Sequence, residues 1–121
     1  MPTQFNANGY ADIRTYLQSN WNHIAIRDSG GTEQLRWEVD ANPNTSWTSA
    51  PSGNPLTAEL EVTGQDIVDA GGSLPVTLAS TEAYQSASAT TAMGSDTMTD
   101  ATLEATGDTV TVTHEYEVPP Q

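Results

Sequence analysis

A chain of 121 residues has the length of one domain, and residues 1–121 read as a single β-rich unit large enough to bury about two-thirds of its unfolded surface. Sixteen carboxylates stand against three arginines (Arg14, Arg27 and Arg36) and no lysine, a formal net charge of −13. Three dispersed cations cannot neutralise a phosphate backbone, which excludes nucleic acid as a partner. The absence of cysteine removes disulfides and thiol chemistry, and no apolar run approaches the ~18 residues of a membrane helix.

An average domain carries about a quarter charged residues of both signs; here the basic half is missing. At ordinary ionic strength such a chain repels itself, whereas at molar salt the Debye length falls to about 3 Å and the repulsion is screened. Carboxylates hold water and cations. The long apolar stem of lysine is a liability when salt drives apolar groups together. The composition therefore reads as adaptation to very high salt. The other readings of the acidity are a nucleic-acid mimic, a partner for a basic protein, or a disordered acidic segment; apolar patterning favours a folded chain. The start, Met1-Pro2-Thr3-Gln4-Phe5, lacks the basic and apolar regions of a signal peptide, so the chain is expected to be made in the cytosol or assembled into a particle there.

The first element expected is a helix over residues 10–18. Tyr10, Ile13, Tyr16 and Leu17 share one face at helical spacing, with Asp12 near its positive end. Residues 21–27, β-branched and aromatic, predict a strand. The turn Asp28-Ser29-Gly30-Gly31 leads to a second strand with Leu35, Trp37 and Val39 inward and Arg36 and Glu38 outward, completing a hairpin. Residues 40–55 are dense in turn formers and read as loop, with Trp47 inside it. Residues 56–63 are the cleanest strand: Leu56, Ala58, Leu60 and Val62 on one face, Thr57, Glu59, Glu61 and Thr63 on the other. Gly64-Gln65-Asp66 stops it.

Leu74, Val76 and Leu78 form the inward face of the next strand, with Pro75 marking a start or an edge. Residues 79–96, small and polar, read as an exposed loop apart from local pairing at Thr81-Glu82-Ala83-Tyr84. The chain closes on an expected hairpin: residues 97–105, a Thr106-Gly107 turn, and residues 108–118, with Val110, Val112, His114, Tyr116 and Val118 on one face. Met98 is out of phase with Ala101 and Leu103, which predicts a bulge. The fold class is mainly β, an antiparallel β-sandwich of roughly six to eight strands with one short N-terminal helix.

No motif supplies chemistry. Nothing marks a nucleophile with its base, and in so acidic a chain paired carboxylates carry no information. Asp40-Ala41-Asn42-Pro43-Asn44 opens like a calcium loop, but Thr45 stands where the sharp-turn glycine belongs and Pro51 where the bidentate glutamate belongs. Two distant histidines do not make a zinc site; His23 and His114 read as satisfied, half-buried residues. The chain is accordingly expected to be no enzyme, with no metal and no cofactor. Trp21 and Trp37 read as core. Trp47 and Tyr84 are the candidate partner contacts.

The order of short motifs resembles that of small tail and baseplate proteins of tailed bacteriophages. Those begin with a short helix, matched by Ile13-Arg14-Thr15-Tyr16-Leu17. A phrase like "HIA-(small)-GTGTT" follows, matched by His23-Ile24-Ala25-Ile26 before Ser29-Gly30-Gly31-Thr32. They close on a "gD-x-L-T-V-T-W" strand, matched from Gly107-Asp108-Thr109-Val110-Thr111 to Val118, and Thr81-Glu82-Ala83 is similar to a "TEAGLF" phrase before it. The chain departs from the pattern at Arg27-Asp28 and at Tyr84. With the acidic composition, the resemblance implies a virion structural protein of a tailed virus infecting haloarchaea. It implies location in the tail tip, baseplate or fibre after assembly in the host cytoplasm, and assembly with other virion proteins and copies of itself as a trimer or ring, without membrane or active site. The alternatives are a receptor- or glycan-binding β-sandwich module using Trp47 against a host-surface glycan, and a capsid vertex or decoration protein.

Structure is expected to be lost below about 1 M salt as carboxylate repulsion is unscreened. Circular dichroism on dialysis into dilute buffer checks this, and an unchanged spectrum there would count against the salt-adaptation reading.

Overall fold

The computed structural model describes residues 5–48 and 55–117. Helix α1 (Ala7–Asn20) leads into strands β1 (His23–Asp28), β2 (Glu33–Glu38), β3 (Thr45–Trp47) and β4 (Leu56–Thr63). Helix α2 (Gly64–Asp69) and strands β5 (Val76–Tyr84), β6 (Gly94–Leu103) and β7 (Thr109–Tyr116) follow. Two antiparallel sheets, ordered β2-β1-β5-β6 and β3-β4-β7, give the expected sandwich-like arrangement.

Alternation places the core. In β4, Leu56, Ala58, Leu60 and Val62 are all fully buried while Glu59 and Glu61 face out. Ile24 and Ile26 of β1, Leu78 and Ala83 of β5, and Val112 of β7 meet them in one cluster. Burying each large aliphatic side chain contributes about 1.5–3 kcal/mol. Trp21 and Trp37 pack against this cluster, half-buried. The β1–β2 hairpin forms as its alternation predicts.

Elsewhere the chain departs from expectation. Helix α1 starts earlier, at Ala7, and buries Arg14 and Leu17 while Tyr16 lies on the outside at 54% exposure. Its inward stripe is Tyr10, Arg14, Leu17 and the C-capping Trp21, one helical step away from the apolar face drawn through Tyr16. Trp21 therefore ends a helix and does not open a strand.

Residues 64–66, expected as a stop, instead open α2. Thr63 and Asp66 make a reciprocal capping box: the Asp66 N–H donates to the Thr63 hydroxyl at 3.1 Å, and the Thr63 N–H donates to the Asp66 carboxylate at 2.8 Å. Ile67 is thereby delivered fully buried into the core.

The segment read as loop around Trp47 contains β3, paired to β4 from Thr45↔Leu60 to Trp47↔Ala58. Thr45 anchors it, its hydroxyl accepting from Asp40 N–H and donating to the Asn42 carbonyl. Strand β5 continues through Tyr84 and is paired on both sides, to β1 and β6.

The last two strands do not pair as a hairpin. Strand β6 belongs to the four-stranded sheet and β7 to the three-stranded one, so the turn at 104–108 carries the chain from one layer to the other. The expected bulge is present: Leu78 faces Ala101 and Ser80 faces Thr97, leaving Met98, Thr99 and Asp100 opposite Ala79 alone. Val118 and the 49–54 part of the turn-rich segment lie outside the described residues.

The crossing turn is packed backbone to backbone against the start of α2. Gly64 N–H donates to Asp108 and Gln65 N–H to Thr106, and a Cβ on Gly64 would sit 2.1 Å from the Ala105 carbonyl oxygen. Gly64→Ala is expected to cost about 2–3 kcal/mol, measured as a lowered midpoint in a denaturant titration with an unchanged slope.

Candidate functional site

The residues with chemical potential gather in two places. The first is the outer face of the four-stranded sheet. Arg27 of β1 donates to the Glu82 carboxylate, to the Tyr84 hydroxyl at 2.9 Å and to the Gly31 carbonyl at 2.9 Å. Arg36 of β2, opposite Ala25, lies with its guanidinium carbon 3.6 Å from the centre of the Tyr84 ring. It donates to the carbonyls of Ser86 and Ala89 and to the Glu33 carboxylate. Arg36 thus clamps the 85–93 connection over the sheet, while Arg27 ties the end of β5 to the β1–β2 turn.

The hydrogen bond from Arg27 to Glu82 holds the guanidinium more firmly protonated. Burial pushes the Glu82 carboxyl up, but hydrogen bonds from Arg27 and Tyr84 outweigh it and leave its pKa below the ordinary range. Asp28 is held low by the Thr32 backbone N–H and then by Gln34. Asp108 is held low by the backbone N–H groups of Glu104 and Ala105. These carboxylates organise turns.

Tyr84, expected as a partner contact, is only 2% exposed. Its ring is covered by Arg36 and its hydroxyl is engaged with Arg27 and Glu82, so in this structure it offers no contact surface. Trp47, the other candidate, is half-buried on the inner face of β3, its ring centre 5.8 Å from that of Tyr116. It is placed by strand pairing, on the core side of its sheet.

The second place is a groove of about 1070 Å³ between β6 and β7, to which α1 contributes Ile13, Leu17 and Trp21. The edge strand of each sheet borders it. Met98, Val110 and Val112 supply apolar lining; Asp96, Asp100, Glu115 and Glu117 supply carboxylates, and no lining residue is Lys or Arg. The Tyr116 hydroxyl donates to the Trp21 carbonyl, tying the end of α1 to β7.

His114 of β7 is 2% exposed, and its Nδ1 lies 2.6 Å from the Thr81 hydroxyl of β5, a buried polar link between the two sheets. A hydroxyl beside an imidazole is the pairing of a nucleophile and its base, but Thr81 is 1% exposed and packed in the interior. The pair fills a core position: His114 is satisfied, as its sequence reading has it, but fully buried where that reading has it half-buried. His23 differs: its Nε2 sits 3.2 Å from Glu38, while its buried Nδ1 has no hydrogen-bond partner among the described residues.

Among the described residues, no group of three or more His, Asp or Glu side chains is arranged to hold a metal ion. The calcium-like phrase forms a tight turn with Asp40 at φ +73° and Asn42 accepting from the Asn44 N–H. The chain matches no protein-family model, no curated protein and no solved structure.

Burial lowers the His114 pKa from 6.5 to about 4, opposed by the nearby Asp96 carboxylate. The unfolded chain then binds a proton between those values that the folded chain refuses, so stability falls as pH drops from 6.5 toward 4. The loss attributable to this residue is about 3 kcal/mol. His114→Gln, which keeps a partner for Thr81, is expected to flatten that part of the stability–pH curve relative to wild type in parallel denaturant titrations.

Proposed function

We propose that this chain is a virion structural protein of a tailed virus from a high-salt environment, assembling through sheet faces and edges into a tail tip, baseplate or fibre, with no catalytic role. The observation that carries the reading is the pair of edge strands, β6 and β7, bordering one apolar-lined groove. Unpaired edges are what strand-mediated assembly uses.

Two further features support it. The order of short motifs from Ile13 to Tyr116 resembles that of small phage tail proteins. The carboxylate excess suits a protein that stays hydrated at molar salt, with Arg27 and Arg36 committed to internal clamps and the remaining surface left anionic.

The test is to purify particles of the virus that encodes the chain and quantify it by mass spectrometry, alongside light scattering of the isolated protein in molar salt. Fixed stoichiometry in the particle and a symmetric oligomer are expected. A monomer absent from every particle would remove the proposal.

A further inference from the structure

We infer that the exposed edge of β7 is a docking site for an extended segment of another protein, apolar on one face and carrying Lys or Arg beside it. The inference deepens the assembly reading above and rests on it.

Register singles out β7. The hydrogen bonds from Thr48 N–H to Thr57 and from Glu61 N–H to Asn44 show that odd-numbered β4 residues bond to β3. Even-numbered ones therefore bond to β7, in the pairs Leu56↔Tyr116, Ala58↔His114, Leu60↔Val112 and Val62↔Val110. Thr111, Thr113 and Glu115 are left with their backbone N–H and C=O groups turned toward the groove. Of the four edge strands, β3 has three residues, β6 is bulged and β2 has a register shift, whereas β7 runs eight residues in unbroken register. It is the edge that a new strand can follow furthest.

The groove already contains a stand-in for that strand. The Asp96 carboxylate accepts from the Glu115 N–H at 3.2 Å, the place where the carbonyl of an added strand belongs. When a backbone carbonyl takes over, Asp96 is released beside Asp100, Glu115 and Glu117, and this cluster has no cation among its neighbours in the groove. Met98, Val110 and Trp21, packed on the core yet still partly exposed, meet the apolar face of the incoming segment. Charge at contact range, which salt screens least, argues against a second copy at this edge: a chain with sixteen carboxylates and three arginines would set carboxylates against Asp96, Asp100, Glu115 and Glu117.

The test uses the full chain, in salt sufficient to keep it folded, and labelled peptides of about eight residues, a typical strand length, alternating Val and Thr with Lys at both ends or Glu at both ends. Fluorescence anisotropy is expected to give a Kd about threefold tighter for the Lys peptide, the preference that contact ion pairs keep in molar salt. Thr113→Pro removes only a groove-facing N–H and leaves the β4 ladder intact; it is expected to abolish binding while circular dichroism is unchanged. Should that variant fold poorly, Glu115→Lys serves, and it is expected to shift preference toward the Glu peptide. Equal affinity for the two peptides, wild-type binding by a folded Thr113→Pro protein, or a self-oligomer in sedimentation that Thr113→Pro dissociates would each overturn the inference. Particles that incorporate the Thr113→Pro chain normally overturn it and leave the assembly reading standing; absence of the wild-type chain from particles overturns the assembly reading instead.

Discussion

Contact between β4 and the inner face of the opposite sheet is the constraint on which everything else rests. Leu56, Ala58, Leu60 and Val62 are fully buried, and the intervening positions carry Thr57, Glu59, Glu61 and Thr63. A one-residue slip of this strand would bring Glu59 and Glu61 into the core and expose the aliphatic set. Both neighbours of β4 take their register from it, including the parity that turns Thr111, Thr113 and Glu115 outward. With so few apolar residues elsewhere, cohesion comes from this one interior, and the polar Thr81–His114 link within it is matched atom to atom.

The scarcity of cations acquires a structural account. Arg36 offers a planar fork that reaches two or more carbonyls and a carboxylate at once while its face lies on Tyr84. Lysine, a point charge on a flexible stem, cannot do this. Arg27 likewise joins a carboxylate, a phenol and a carbonyl, and Arg14 is buried on the inner side of α1. None of the three is a decoration of the surface. Keeping arginine and losing lysine is therefore explained as much by what these guanidiniums hold together as by how their charges meet solvent.

Strict alternation made β4, β7 and the β1–β2 hairpin legible from sequence, because period two in residues maps directly onto two faces. Other elements depend on partners that no local window contains. Strand β5 beyond Leu78 is Ala-Ser-Thr, weak in strand preference, and is held extended by ladders on both sides. Strand β3 has three residues among turn formers and exists because β4 lies beside it. The signal for α2, Thr63 followed three residues later by Asp66, was readable, but Gly64 and the preceding strand argued for a stop. The 104–108 turn has hairpin chemistry, and nothing local distinguishes a turn within a sheet from one between sheets. The approach of Arg36 to Tyr84 spans a separation that periodicity does not address, which is why Tyr84 read as a contact and proved to be covered.

The 85–93 connection is fastened by a side chain that grips carbonyl oxygens of the connection itself. Carbonyls are the same whichever residue bears them. The latch at Arg36 is thus indifferent to the letters of the segment it closes and sensitive only to its length and path. Ser86, Ala87 and Ala89 can drift to other residues over generations without loosening it, while a change at Arg36 would release the Ser86 and Ala89 carbonyls together and leave the Met93 N–H on Ala83 to hold the far end. Variation and invariance are in this way assigned to adjoining stretches of chain: a freely rewritable surface ribbon, and a two-residue buckle beneath it.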